Sequence, residues 1–274
     1  MASFDFVDAA AKGYEFLWRE RGYISRVAIP VVFVKMACIL AVHLLGADKQ
    51  FLFSGLIMIP GFVLEAILAI GLVRFLLYRE PIMISGRAVP PPQDNPPIAR
   101  YMGGMSASQA VQAGFAMYLL IRIVQVAFSG WVQDYKLLLD ATNVEPEQVD
   151  PNFLGMFAML GLLWVIVWAF RLGWLFVPLA MGLSFMTFLE RIKGLYSSFY
   201  LFAAWFLCSL PLLVLYGALA NLVQIVFPSG TGVGIVFDAL ILAGIETTMV
   251  ALQVLAMTYG ITEIMAGGKG KPKK

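Results

Sequence analysis

Polar positions in this chain are few, and they gather between long apolar runs. A run of roughly 20 apolar residues is what an α-helix needs to cross a hydrocarbon core. Six such spans are predicted, at about 24–46, 51–78, 106–128, 153–176, 196–226 and 235–261. Residues 3–21 carry a different pattern. Phe4, Val7, Ala11, Tyr14 and Trp18 share one helical face, while Asp5, Asp8, Lys12, Glu15 and Arg19 repeat that spacing one residue on. This is a two-faced helix, with Ser3 placed to cap it and Asp5 and Asp8 at its positive end. Two readings stand side by side: it lies in the membrane interface through Tyr14 and Trp18, or it packs on the bundle. The fold class is therefore all-α, a polytopic membrane protein with six transmembrane helices plus interfacial amphipathic helices.

Breaks in the pattern come at prolines and glycines. Pro30 is expected to kink or loosen the first span, Pro60-Gly61 to bend the second and Pro211 to interrupt the fifth. Asp48-Lys49 reads as a turn, 79–105 as a loop with the extended run AVPPPQDNPP, and 129–152 as an acidic loop anchored by Trp131 and Tyr135. Ala110 and Gly114 give the third span a small face for close packing. The apolar pattern after residue 153 runs to Leu189, too long for one crossing. Pro178 is the expected break, leaving 178–193 as a short interfacial helix.

A candidate internal repeat overlays this pattern. Lys12-Gly13, Pro30, Glu65 and Tyr78 return as Lys193-Gly194, Pro211, Glu246 and Tyr259, each 181 positions later. Ala37, Val42 and Val73 also match their counterparts at that offset. On this reading the chain is a single integral membrane domain, 1–274. Its parts are repeat unit 3–78, central hairpin 106–176, repeat unit 178–261 and basic tail 267–274.

Composition agrees with the pattern: 61% of the 274 residues are hydrophobic and 13% charged, with a mean hydropathy of +0.84. An ordinary soluble domain is about half apolar and about a quarter charged. No polar stretch is long enough to build a separate soluble core. Cys38 and Cys208 both lie inside apolar spans and read as small hydrophobes. The lone histidine, His43, leaves no basis for a His-built metal site, and neither a metal nor a cofactor is expected. The first 23 residues lack a short apolar core followed by a cleavage site, so the first span is expected to remain as an anchor.

Charge distribution sets an expected orientation. Fourteen of the 19 Lys and Arg residues fall on one side of a six-span arrangement, and only Lys49 and Lys136 on the other. That places both termini in the cytoplasm and makes the two repeat units parallel. The tail lysines Lys269, Lys271, Lys273 and Lys274 read, with Trp18, as lipid or interface contacts rather than a nucleic-acid arm.

An ionisable side chain at mid-bilayer costs about 2.5–3.5 kcal/mol on insertion scales, so it needs a partner or a role. Lys35, Glu65, Arg122, Asp238 and Glu246 are the candidate intramembrane polar site. Lys35 and Glu65 sit at similar depth on spans joined by a short turn, and are expected to pair. Glu246 has Tyr216 where a second lysine would stand; Arg122 or Arg171 are its expected partners, or it is protonated. Asp238 is expected near the depth of Arg122. Arg171 is expected to snorkel to the cytoplasmic surface.

No HExxH, GxSxG or P-loop is present, and GGKGK in the tail lacks the following Ser or Thr. No catalytic residues are assigned. The stretches KGYEFLWRERGYISRVAIP and RLGWLFVPLAMGLSF…RIKG resemble small bacterial inner-membrane proteins of the YciC type, and the membrane domain of some glycerophosphodiesterases. No phosphodiesterase catalytic domain lies within these 274 residues, so that activity is not carried over. The resemblance implies a bacterial cytoplasmic membrane and little about mechanism. The expected role is non-enzymatic handling of lipid or small solutes; the alternative is a scaffold or assembly subunit. Membrane lipids are the expected partners, with other membrane proteins or further copies of the chain as further candidates and no nucleic acid.

Overall fold

A computed structural model describes residues 4–47, 50–82, 105–141, 153–192, 194–227 and 231–265. Residues 51, 131–141, 153–159, 162, 163 and 195 are described by backbone alone. Asp48-Lys49, most of the proline-rich loop, the acidic stretch after residue 141 and the basic tail lie outside the described residues, as do Ser3 and Lys193.

The helices are α1 (Phe6–Arg19), α2 (Arg21–Leu44), α3 (Phe51–Tyr78), α4 (Ala107–Ala141), α5 (Phe153–Phe170), α6 (Phe176–Ala180), α7 (Phe185–Arg191), α8 (Leu195–Val226) and α9 (Gly232–Met265). Five of them, α2, α3, α4, α8 and α9, are long and apolar enough to cross a membrane. The chain is a multi-pass membrane protein. α2–α3 and α8–α9 are two helical hairpins that pack on each other, with α9 against both α2 and α3.

The ends of these helices are tied together on one side. Arg79, just past α3, pairs with Glu20 at the start of α2 at 2.8 Å. Arg191, before α8, donates to the carbonyl of Met265 at the end of α9 at 3.2 Å. α1 lies across the same end. Its Gly13 sits so close to α9 that a Cβ there would stand 3.2 Å from the Ala256 backbone nitrogen. The packed core is concentrated at this end: α3 is buried from Glu65 to Leu77 except at Ile67 and Gly71, and α9 almost throughout Val250–Met265. The opposite halves of the long helices expose apolar side chains such as Leu56, Val124, Val214 and Phe237, the surface expected to face lipid.

Several expectations are corrected here. The cap of α1 is Asp5, whose carboxylate accepts from the amides of Val7 and Asp8 at 3.0 and 3.1 Å. The stripe that α1 buries is Ala9, Ala10, Gly13 and Phe16, while Val7 and Trp18 are exposed. Small residues let the helix lie flat against α9, and that choice turns Val7 and Trp18 outward. α8 runs unbroken through Pro211, because losing one amide donor is tolerated where neighbouring helices hold the segment; Pro30 also lies inside its helix. α4 continues to Ala141, so 129–141 is helix rather than loop.

The largest correction concerns 171–193. The helix breaks at Arg171, not at Pro178: α5 ends at Phe170 and a 3₁₀ turn spans Arg171–Trp174. Pro178 lies inside α6, and the chain turns again at Gly182, whose φ of 81° suits a residue without a Cβ. Although α7 exposes Phe185 and Met186, the stretch around Pro178, up to Leu183, does not lie at the surface. Every residue from Trp174 to Leu183 is buried. Polar side chains meet its free carbonyls: Arg74 donates to Ala180 at 3.1 Å and Tyr78 to Met181 at 2.8 Å. Non-helical backbone inside a membrane bundle needs such partners.

The repeat-matched positions Gly13 and Gly194 differ locally. Gly13 lies within α1, whereas Gly194 precedes α8 in extended conformation.

Candidate intramembrane charge cluster

The site follows from four helical stripes. Ile24, Val27, Val31, Lys35 and Cys38 recur at three- or four-residue steps and are the buried face of α2. Lys35 therefore enters the core because its whole stripe does. On α3, Gly61 stands one turn before Glu65, and a Cβ there would lie 3.2 Å from the Lys35 Cγ. The glycine leaves room for the lysine stem. On α4, Ala110, Gly114, Tyr118 and Arg122 follow at four-residue steps, and the small pair brings the helix close to Ile70 and Ala180. On α9, Glu246 flanks the buried line of Ala239, Ala243, Thr247 and Val250.

These stripes meet in one cluster. Lys35 Nζ lies 2.7 Å from Glu65 Oε2 and 2.8 Å from Glu246 Oε2. The other Glu65 oxygen accepts from the Tyr118 hydroxyl and from the Arg122 guanidinium. Arg122 also donates to Gln125 at 3.1 Å and lies over the rings of Phe62 and Tyr118. Phe176 of the buried segment meets Tyr118 edge-on at 4.9 Å. The four charged groups, two cations and two carboxylates, sum to zero when all are ionised.

Burial is unequal. The side chains of Lys35 and Glu65 are 1% and 0% exposed, Arg122 is 27% and Glu246 is 38%. Glu246 lies 14 residues into a 34-residue helix, so this half-open carboxylate stands near the middle of α9. Its Oε2 is on Lys35; no partner is recorded for its other oxygen among the described residues.

The expected Lys35–Glu65 pair is present. Glu246 is not left without a lysine and does not go to Arg122 or Arg171: it shares Lys35 with Glu65. Arg122 goes to Glu65 instead. Asp238 is exposed and makes no ion pair among the described residues; it lies eight residues before Glu246, about 12 Å along the helix and away from the cluster's cations. Arg171 does not snorkel. It is buried, stacks on Trp168 and donates to the carbonyl of Ile192, the cap of α7, at 2.6 Å. Reasoning on sequence missed Tyr118, although its position one turn before Arg122 and one turn after Gly114 was the available signal. Cys38 and Cys208 are buried free thiols, and no metal-ligating group of three or more His, Cys, Asp or Glu occurs among the described residues.

No family model matches the chain, and neither a curated protein nor a solved structure is similar to it.

Proposed function

We propose that this is a six-span protein of the bacterial cytoplasmic membrane that handles a lipid or small solute at the charge cluster, without covalent chemistry. The observation that carries this is the half-open Glu246, bound to a buried lysine near the middle of α9 and between two hairpins. A purely structural pair gains nothing from leaving one carboxylate open, since an ionised group facing hydrocarbon is expensive. A polar path gains an entry point. The resemblance to YciC-type proteins supports the choice of membrane.

Six crossings are supported by the end ties described above. α2 and α8 start on one side, so the chain between α3 and α8 must cross and return. α4 supplies one crossing. α5, at 18 residues, is about 27 Å long and supplies the other. The positive-charge imbalance then sets the tied end in the cytoplasm. Cysteines introduced at Glu80 and Thr231, in a background lacking Cys38 and Cys208, should label from opposite faces of sealed vesicles. Labelling of both from one face would leave α5 short of a crossing.

The alternative reading is a scaffold subunit. The near-complete burial of Lys35 and Glu65 favours it, because such a pair can serve only to fix helix register. Native mass spectrometry of wild type and Glu246→Gln, extracted from membranes, separates the two. Solute handling expects a defined lipid or small molecule whose occupancy differs between the wild type and Glu246→Gln. A protein partner held equally by both, with no small ligand, would establish the scaffold role instead.

A further inference from the structure

We infer that the cluster takes a monovalent oxyanion together with one proton, the anion replacing the Glu246 carboxylate on Lys35. This rests on reading the cluster as a solute site. The argument is one of charge in a medium that penalises net charge by several kcal/mol. The empty cluster is neutral with Lys35 and Arg122 charged against Glu65 and Glu246. Glu65 is held in place by three donors from two other helices, Lys35, Tyr118 and Arg122. Among the described residues Glu246 is held by Lys35 alone, and it is the open member. It is therefore the carboxylate that can leave.

If an anion took that place while Glu246 stayed ionised, the cluster would carry a net negative charge. If Glu246 took up a proton with no anion present, the cluster would carry a net positive charge. Both mixed states are penalised; only proton and anion together restore neutrality. The two ligands are thereby coupled, each raising the affinity for the other by the same factor. The ligand must present a single negative charge on oxygen, because one carboxylate is what it replaces.

The titratable groups around Glu246 are Lys35 on α2, Glu65 on α3 and, beyond Glu65, Tyr118 and Arg122 on α4. On α8, which runs antiparallel to α9 with Ser209 against Gln253, Tyr216 lies near its level, while Cys208 packs with Leu252 and Ala256, roughly two turns away. The charges of α1 face Tyr259 and Glu263, more than three turns away. α6 carries no ionisable side chain, and Glu190 and Arg191 of α7 lie by the far end of α9.

The oxyanion could arrive from water or from the lipid, and sulfonates serve as probes that carry no titration of their own. Benzenesulfonate in solution and hexadecanesulfonate doped into the bilayer are titrated calorimetrically against the protein in nanodiscs, from pH 8 to pH 5.5. The expected result is about tenfold tighter binding per pH unit of acidification while Glu246 is ionised in the empty protein. Heats in buffers of different ionisation enthalpy should report one proton taken up per anion. Glu246→Gln should bind at every pH as tightly as the wild type does in acid, with no proton uptake. The probe that binds identifies the source, aqueous or lipid. Binding of unchanged affinity across pH, or without proton uptake, would overturn the coupling and leave solute handling standing. A pH slope that survives in Glu246→Gln would do the same. No binding of either probe to either protein would remove both readings.

Discussion

Glu65 and Glu246 hold corresponding places in two hairpins and meet the same lysine, yet they live in different surroundings. Glu65 is wholly buried, and its two oxygens receive three donors. Glu246 is 38% exposed and has one among the described residues. The difference lies in what covers each hairpin. α4 packs along α3 and brings Tyr118 and Arg122 over Glu65. The second hairpin has α5 on its α8 side, and no described residue closes over Glu246. One lysine thus serves two carboxylates with unequal hold, and the weaker grip marks the place where the cluster can exchange partners.

The comparison breaks most severely at Glu65. In Glu65→Gln, Lys35 and Arg122 are left with one carboxylate between them, and only Lys35 reaches it. A loss of roughly 3–5 kcal/mol is expected for an uncompensated buried charge, read by denaturant unfolding in mixed micelles. Adding Lys35→Met should recover part of that loss but not all, since Arg122 and Glu246 then lack partners. Full recovery would mean that Arg122 and Glu246 do not depend on the pair and that the cluster is two separate contacts.

Next in size is Gly13→Ala. The added methyl would sit 3.2 Å from both the Ala256 Cβ and its backbone nitrogen, while the helix gains about 1 kcal/mol of propensity. Overpacking costs about 1–3 kcal/mol, so a net loss of about 1 kcal/mol is expected by the same unfolding assay. A net gain would show that α1 can move off α9 freely, and that the second hairpin does not need this cover.

The smallest effect is expected for Glu246→Gln. The carboxylate is more than a third open, so its pair with Lys35 contributes no more than about 1 kcal/mol. Lys35 keeps Glu65. A loss as large as that of Glu65→Gln would put the two glutamates on equal footing and remove the asymmetry on which the exchange depends.

Much of this was legible from the chain alone. The apolar runs announce the membrane class, because helix length against bilayer thickness is a property of each segment by itself. Lys35 and Glu65 announce each other, because two expensive groups at similar depth on adjacent spans have a cheap solution in pairing. Glu246 could be picked out for the same reason, but its partner could not. Which residues meet across helices that are distant in sequence depends on the rotation of each helix about its axis. That rotation is set by small-residue contacts such as Gly61 against Lys35 and Gly114 against Ala180. The buried stretch from Trp174 to Leu183 was hidden for a related reason. Its apolar residues suit an interfacial helix and a buried turn equally well; the choice falls to Arg74 and Tyr78, more than a hundred positions earlier, whose side chains meet its open carbonyls. Hydropathy and desolvation act residue by residue and so can be read along the chain, whereas the sharing of one lysine by two glutamates exists only once α2, α3 and α9 have packed.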